Sequence, residues 1–198
     1  MGGVLVYYKE DEAMKKAGIP AEDRDAIEKN FYGAGYIDLT DRGLKTHKEV
    51  IEECSLPERI KQELREMYIE HCYGLTYMYP FDNMLGLVKE LKSNGYKIYL
   101  LSNAGVDFYV YSPHYPVMEY LNGKFVSCEY LLLKPERAIY EKFFSVFSLN
   151  PSECVFIDDR QKNVDGSIKA GMDAIRFSSA DEDIEVLKVK LREKGVRI

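Results

Sequence analysis

A chain of 198 residues is long enough to bury a real core, as one domain or as one domain with an insert. A net charge of −6 with no basic block argues against nucleic acid as a partner, and no apolar run is long enough to cross a membrane. The four cysteines (Cys54, Cys72, Cys128 and Cys154) are scattered with no CxxC pair, which argues against a disulfide framework or a zinc site and fits a reducing, cytoplasmic compartment.

The start, MGGVLVYYKEDE, has no basic region and too short an apolar run for a signal peptide. Gly2-Gly3 stands in front of Val4, Leu5 and Val6. A glycine pair marks a turn or a close backbone approach and rarely opens a chain, so structure is expected before it. Residues 9 to about 80 read as helical. Ala21 to Asn30 is charged and helix-permissive, and Gly33-Ala34-Gly35 breaks the pattern. That glycine pair is half of a dinucleotide fingerprint, but no strand precedes it, so it reads as a turn. Thr46 and Glu49 form a capping-box pattern that opens a short helix through Cys54. Ser55-Leu56-Pro57-Glu58 opens another, with Ile60, Leu64 and Met67 on one face. His47 and His71 lie on these helices without a metal-ligand partner and read as solvated or satisfied histidines. The aromatic residues Phe31, Tyr32, Tyr36, Tyr68, Tyr73, Tyr77 and Tyr79 read as packing, with contact to a sugar as the alternative.

From Pro80 the pattern changes. Leu85, Val88 and Leu91 make a helical stripe that Gly95 ends. Tyr96 to Leu101 is a strand candidate that stops at Ser102-Asn103. A weaker strand from Val126 to Leu133 stops at Lys134-Pro135, with Pro135 placed to start the next helix. That helix runs to about Phe147 and carries Ile139, Phe143 and Val146 on one face. Val155, Phe156 and Ile157 form a buried strand that runs into Asp158 and Asp159, and the helix behind them ends at Gly171. Ala174 to Phe177 is a last strand, and Glu182 to Lys194 a closing amphipathic helix. This alternation predicts an α/β fold, a Rossmann-like parallel sheet wound with helices. The core comprises residues 1–8 and 80–198, and residues 9–79 form an all-helical insert. Carboxyl ends of parallel strands face one crevice, so Ser102, Lys134, Asp158 and Asp159 are expected to converge.

Two adjacent carboxylates at the end of a buried strand repel each other and lose water together. A hard cation such as Mg²⁺ would relieve both, and a polar turn in which one Asp caps the helix is the plainer alternative. Ser102 and the backbone N–H groups after it can bond phosphate oxygens, and Lys134 offers a point charge. Each residue alone has a plainer role: Ser102 and Asn103 as helix caps, Lys134 as a solvated lysine. Together they describe a phosphate site.

At FIDDRQKN, LKPERAIY and YLLSN the sequence resembles the haloacid dehalogenase-like (HAD) hydrolases, near the branch with glucose-1-phosphate phosphatases and the N-terminal phosphatase domain of epoxide hydrolases. The resemblance implies a HAD-like core with an inserted helical cap. It also implies a Mg²⁺-dependent phosphomonoesterase that acts on a small phosphorylated metabolite, such as a sugar phosphate, through an aspartyl-phosphate. By resemblance, Ser102 and Asn103 bind phosphate, Lys134 steadies nucleophile and phosphate, Asp159 with Asp158 holds the metal, and Asn163 supports the metal loop. Aligning Gly3-Val4-Leu5 with the family's opening motif puts the nucleophilic aspartate immediately before Met1, with its strand, and Gly2 where many members carry a second aspartate. A misassigned start or a truncation is the preferred account, and the written chain is expected to show no turnover. The competing reading is a catalytically dead fold kept as a phospholigand-binding or interaction module. A haloacid dehalogenase proper is disfavoured, because that chemistry needs no acidic pair.

Overall fold

The computed structural model describes residues 1–179 and 181–198. Its strands are β1 (Val6–Tyr7), β2 (Tyr79–Pro80), β3 (Tyr99–Ser102), β4 (Gly123–Val126), β5 (Val155–Asp158) and β6 (Asp173–Arg176). β1 and β2 pair antiparallel, Val6 opposite Pro80. The described residues between them form helices, turns and irregular connections with no strand. Thr46 closes the expected capping box. Its backbone N–H donates to Glu49 Oε2 at 2.8 Å, and Glu49 N–H donates to Thr46 Oγ1 at 3.3 Å. The helix behind it is His47–Glu53. Ile60, Leu64 and Met67 are all buried, as their spacing requires.

β3 pairs parallel with β4, from Tyr99 opposite Gly123 to Ser102 opposite Val126. β5 pairs parallel with β6, from Val155 opposite Asp173 to Asp158 opposite Arg176. The fold is α/β with parallel strands, but among the described residues these strands form two separate pairs rather than one continuous sheet. Side chains alternate across β3 as a strand demands. Leu100 joins the large core that spans the helical segment, and Leu101 joins a second core with Phe125, Ile139, Tyr140, Phe143 and Met172. Helix Asp82–Ser93 buries Met84, Leu87, Val88 and Leu91. It is followed by Gly95 at φ 87°, a left-handed position that favours glycine.

Two expectations are corrected here. The weaker strand was placed at Val126–Leu133, but β4 ends at Val126 and Ser127–Tyr130 is a helical turn. Ser127 is fully buried and Ala104 N–H donates to its Oγ at 2.9 Å, which stops the ladder there; Leu131 then sits at φ 57°. Lys134 therefore lies in a loop rather than at a strand end. The next helix begins at Arg137, not Pro135, and Val146 on it is 41% exposed, off the buried face made by Ile139, Tyr140, Phe143 and Phe144.

Candidate active site

Ser102 ends β3 and Asp158 ends β5, so each side chain is set by a strand whose apolar residues fix its register. Lys134 joins the two ends. Its Nζ donates to Asp158 Oδ2 at 2.7 Å and to Leu101 O at 3.0 Å, and both partners of this ion pair are almost fully buried. The four residues expected to converge therefore do so, although Lys134 arrives from a loop. Asn103 has a different task for its side chain. Asn103 Nδ2 donates to Lys134 O at 3.1 Å, and Lys134 N–H donates to Asn103 Oδ1 at 2.9 Å. Both ends of the amide are spent on the backbone of Lys134, so the side chain positions the lysine instead of facing a ligand. Asn163, in the first turn of helix Gln161–Lys169, donates from Nδ2 to Asp158 Oδ1 at 2.9 Å. Its Oδ1 is buried without a partner among the described residues.

The two adjacent acids differ in electrostatics. Burial pushes the Asp158 carboxyl up, but the Lys134 charge and hydrogen bond, with the Arg160 N–H and Asn163 bonds, bring it below its ordinary value. Asp159 is pushed up, first by burial and then by the Asp158 charge. No side-chain ion pair to Asp159 exists among the described residues, whereas Asp158 is committed to Lys134. A carboxylate held up by burial and by its neighbour's charge, with no ion-pair partner among the described residues, is a hard-oxygen donor suited to Mg²⁺. Among the described residues no group of three or more His, Cys, Asp or Glu side chains is placed to hold a metal. The residues that fit one are therefore Asp159 first and Asp158 second.

The N-terminal turn packs directly on this pair. Gly3 has φ 76°, and a Cβ there would lie 2.7 Å from Asp159 Cγ. The Met1 amino group donates to Ser102 Oγ at 3.3 Å. Burial and then the Lys134 charge lower the pKa of this amine to about 5.

A cavity of about 1260 Å³ opens from these residues. Its wall includes Tyr8, Tyr32, His47, Tyr68, Tyr73 and Tyr111. Tyr68 stacks on Tyr73 at 4.8 Å and on His47 at 4.6 Å between ring centroids. His47 is a largely buried histidine 3.9 Å from Asp107, so the reading of a satisfied side chain holds, but it faces the cavity. Burial lowers its pKa, opposed by the Asp107 charge. Of the aromatic residues read as packing, Tyr68 packs on Phe31 and Tyr73, Tyr32 packs on Phe31 and shares a hydroxyl hydrogen bond with Tyr68, and Tyr32, Tyr68 and Tyr73 line the cavity as well.

Two cavity residues stand outside the set expected from the sequence. Asp41 is raised to about 7 by burial, then by Asp107 and Asp38. It belongs to helix Tyr36–Asp41 together with Asp38, whereas Asp107 comes from a distant part of the chain. Arg160 lies 3.6 Å from Glu10, both lining the cavity, and only its place directly after Asp158-Asp159 hinted at a role.

The chain belongs to the haloacid dehalogenase-like hydrolases, whose family model matches residues 3–171. Among curated proteins it is 27% identical over 130 residues to flavin mononucleotide hydrolase 1 of Arabidopsis thaliana, covering 66% of this chain and 51% of that protein. It is 30% identical over 95 residues to enolase-phosphatase E1 of a Hydrogenobaculum species, covering 46% of this chain and 42% of the relative. The chain thus spans about half the length of the curated relatives it matches. A HAD family enzyme from Bacteroides thetaiotaomicron, crystallised with magnesium and inorganic phosphate, superposes with a TM-score of 0.71 at 22% identity, over 94% of this chain and 95% of that one. A HAD-like hydrolase from Porphyromonas gingivalis gives a TM-score of 0.70 at 19% identity, over 96% and 94%. These two likenesses show the shared fold.

Proposed function

We propose that this chain supplies the phosphate- and metal-binding parts of a Mg²⁺-dependent phosphomonoesterase acting on a small phosphorylated metabolite. The observation that carries this is the buried Lys134–Asp158 pair, with Ser102 and Asp159 beside it, where β3 and β5 end. The Ser102 hydroxyl and the backbone after β3 would receive the phosphoryl oxygens. Lys134, fixed by Asn103 and Asp158, would hold a positive charge at that place in a water-poor setting, where charge stabilisation is strongest. Asp159 and Asp158 would hold Mg²⁺, which when bound neutralises charge on the phosphoryl group.

The reaction needs a carboxylate to attack phosphorus, forming an aspartyl-phosphate and releasing the alcohol, after which water cleaves the acyl phosphate. The resemblance puts that carboxylate on the residue before Met1, and the buried Met1 amino group, 3.3 Å from Ser102 Oγ, supports that position. Residues 9–79 would form the cap that shapes the substrate pocket. Its aromatic wall suits a sugar or a flat ring as the leaving group, and the Arabidopsis relative is named for flavin mononucleotide. Among the described residues no helix is long and apolar enough to cross a membrane, and cysteine usage supports a cytoplasmic setting.

The test is hydrolysis of p-nitrophenyl phosphate. The 198-residue form is expected to show none, and a form extended by an apolar strand ending in Asp before Met1 is expected to turn over. Chelator and Asp159→Ala should each abolish that activity. Turnover by the 198-residue form that Asp159→Ala removes would overturn the position of the nucleophile. No turnover by a folded, Mg²⁺-binding extended form would favour a phospholigand-binding module.

A further inference from the structure

Besides the residues where β3 and β5 end, the cavity is lined by three further acids, Asp38, Asp41 and Asp107. They come from two parts of the chain. Asp38 and Asp41 belong to helix Tyr36–Asp41, and Asp107 directly precedes helix Phe108–Tyr111 beyond β3. A close approach brings the two sources together. A Cβ at Gly105 would lie 3.0 Å from Asp107 Oδ1 and 3.2 Å from Thr40 O, so the Asp107 carboxylate and the Thr40–Asp41 peptide meet at one glycine. The buried Ser127 holds that segment in place, its Oγ donating to Asp41 O.

These acids are short of positive charge. The basic side chains of the same cavity wall are engaged elsewhere, Arg42 with Glu136, Lys134 with Asp158 and Arg160 with Glu10. Among the described residues no Lys or Arg lies within ion-pair distance of Asp38, Asp41 or Asp107, and the Asp107 side chain caps no N–H of the helix it precedes. His47, 3.9 Å from Asp107, is turned toward its neutral form by burial. The cost shows at Asp41, raised to about 7 by burial and then by Asp107 and Asp38. Arg160 and Lys134 act on Asp41 in the opposite sense, so the acids adjoin the phosphate end of the cavity. Tyr111 is an independent sign of a ligand. It is 8% exposed and lines the cavity, yet its hydroxyl has no hydrogen-bond partner among the described residues. After burial, the charges that act on that hydroxyl most are those of Asp107 and Asp41, so it belongs to the same cluster. A buried hydroxyl is normally paired, and a partner from outside the chain is expected there.

We infer that Asp41, Asp107 and Tyr111 form a subsite for a protonated amine on the alcohol part of the phosphomonoester, with the exposed Asp38 at its outer edge. This subsite rests on the phosphate-site reading above and adds the leaving group to it. The substrate is then a zwitterion, with its phosphoryl group at Ser102 and Lys134 and its ammonium group among the acids. An ammonium has N–H donors and no acceptor, which matches two carboxylates and a hydroxyl oxygen. A sugar hydroxyl or a neutral ring would leave both carboxylates without a counter-charge. The bound cation would also keep Asp41 ionised, since an opposite charge nearby lowers a carboxyl pKa.

The test is calorimetric binding to the 198-residue chain at pH 8 in excess Mg²⁺, which needs no turnover. The probes are O-phosphoethanolamine, its neutral isosteres propyl phosphate and 2-hydroxyethyl phosphate, and inorganic phosphate. O-Phosphoethanolamine is expected to bind about tenfold or more tighter than either isostere. Asp41→Asn should cut that preference to about threefold or less, and should tighten inorganic phosphate, because a like charge has gone. A merely structural role would weaken both ligands together. Tyr111→Phe should lower the preference by about threefold, with inorganic phosphate unchanged. Equal binding of the three esters, with inorganic phosphate bound, would overturn the subsite and leave the phosphate site standing. 2-Hydroxyethyl phosphate as tight as O-phosphoethanolamine would overturn it in favour of a polyol pocket. A preference that survives Asp41→Asn would overturn the residues assigned. A chain that binds neither inorganic phosphate nor any ester would overturn the phosphate-site reading, and the subsite with it.

Discussion

Replacing Lys134 by Met keeps an unbranched side chain in the same space and removes the charge between the ends of β3 and β5. Asp158, 4% exposed, then keeps its bonds from Asn163 and Arg160 N–H but loses its one salt bridge among the described residues. Removing one partner of a buried pair costs about 3–5 kcal/mol, because the other charge stays in low dielectric. That is a large share of a total stability of about 5–15 kcal/mol. The pH dependence supplies the sharper test. In the native chain the Asp158 carboxyl sits below its ordinary value, so its contribution is full above the unfolded pKa of 3.8 and fades as pH falls through the lower folded value. Without Lys134, burial dominates and pushes that carboxyl up, which inverts the sign. Stability of Lys134→Met then falls as pH rises above the unfolded pKa of 3.8. Urea unfolding at several pH values should therefore show a penalty that is largest near pH 7 to 8 and shrinks toward pH 4. Lys134→Met/Asp158→Asn should recover most of it. A penalty under about 1 kcal/mol at pH 7, or one that does not change with pH, would refute the assignment of this pair as buried and mutually dependent.

Asp41→Asn should act in the opposite sense to loss of a stabilising acid. The folded pKa of Asp41 is raised to about 7 from 3.8, so stability declines as pH climbs between those values, and the variant should gain on wild type at pH 8 and not at pH 4. Because Asp41 is only half-buried, the gain should be about 1–2 kcal/mol, seen as a pH-dependent difference in Tm. Asp159→Asn should leave thermal stability unchanged or slightly raised, since it removes repulsion with Asp158, while Mg²⁺ titration by calorimetry loses its signal. Gly3→Ala should cost about 1–3 kcal/mol in urea and weaken Mg²⁺ binding, because φ 76° is strained for alanine and the new methyl meets Asp159. Thr46→Ala should cost about 1 kcal/mol through the lost capping box and leave Mg²⁺ binding unchanged.

The legible parts of the site were those written locally. An apolar run that stops at Ser102, and another that stops at Asp158-Asp159, each fix a strand and its polar end within a few residues. Lys134 was placed correctly in space for an incorrect reason. The triplet Leu131-Leu132-Leu133 resembles a strand, but a short apolar run does not choose its own backbone, and the buried Ser127 had already ended the ladder. Asn103 looked like a ligand residue because its side chain can donate and accept. Which partner uses those atoms is decided by a loop about thirty residues onward, out of reach of any local pattern. Asp41 was invisible for the same reason, since its neighbours Asp107 and Lys134 come from other elements. The separation of β3–β4 from β5–β6 was equally unreadable, because periodicity names strands and not their pairing partners.

The β1–β2 ribbon has a consequence for how this protein can change. Its two residue pairs, Val6 with Pro80 and Tyr7 with Tyr79, pin both ends of the helical excursion over residues 8–78 at one place. For a chain whose ends are already held together, lengthening the loop is cheap: each doubling costs only about 0.6 kcal/mol in closure entropy. The excursion that walls the cavity can therefore be lengthened, shortened or rebuilt with little penalty from closing the loop. Lys134, Asp158 and Ser102 are held by strands and loops on the other side of the ribbon. Selection acting on the wall and selection acting on the charged centre are in this way nearly independent, and new ligands can be explored without disturbing the ion pair at the base of the site.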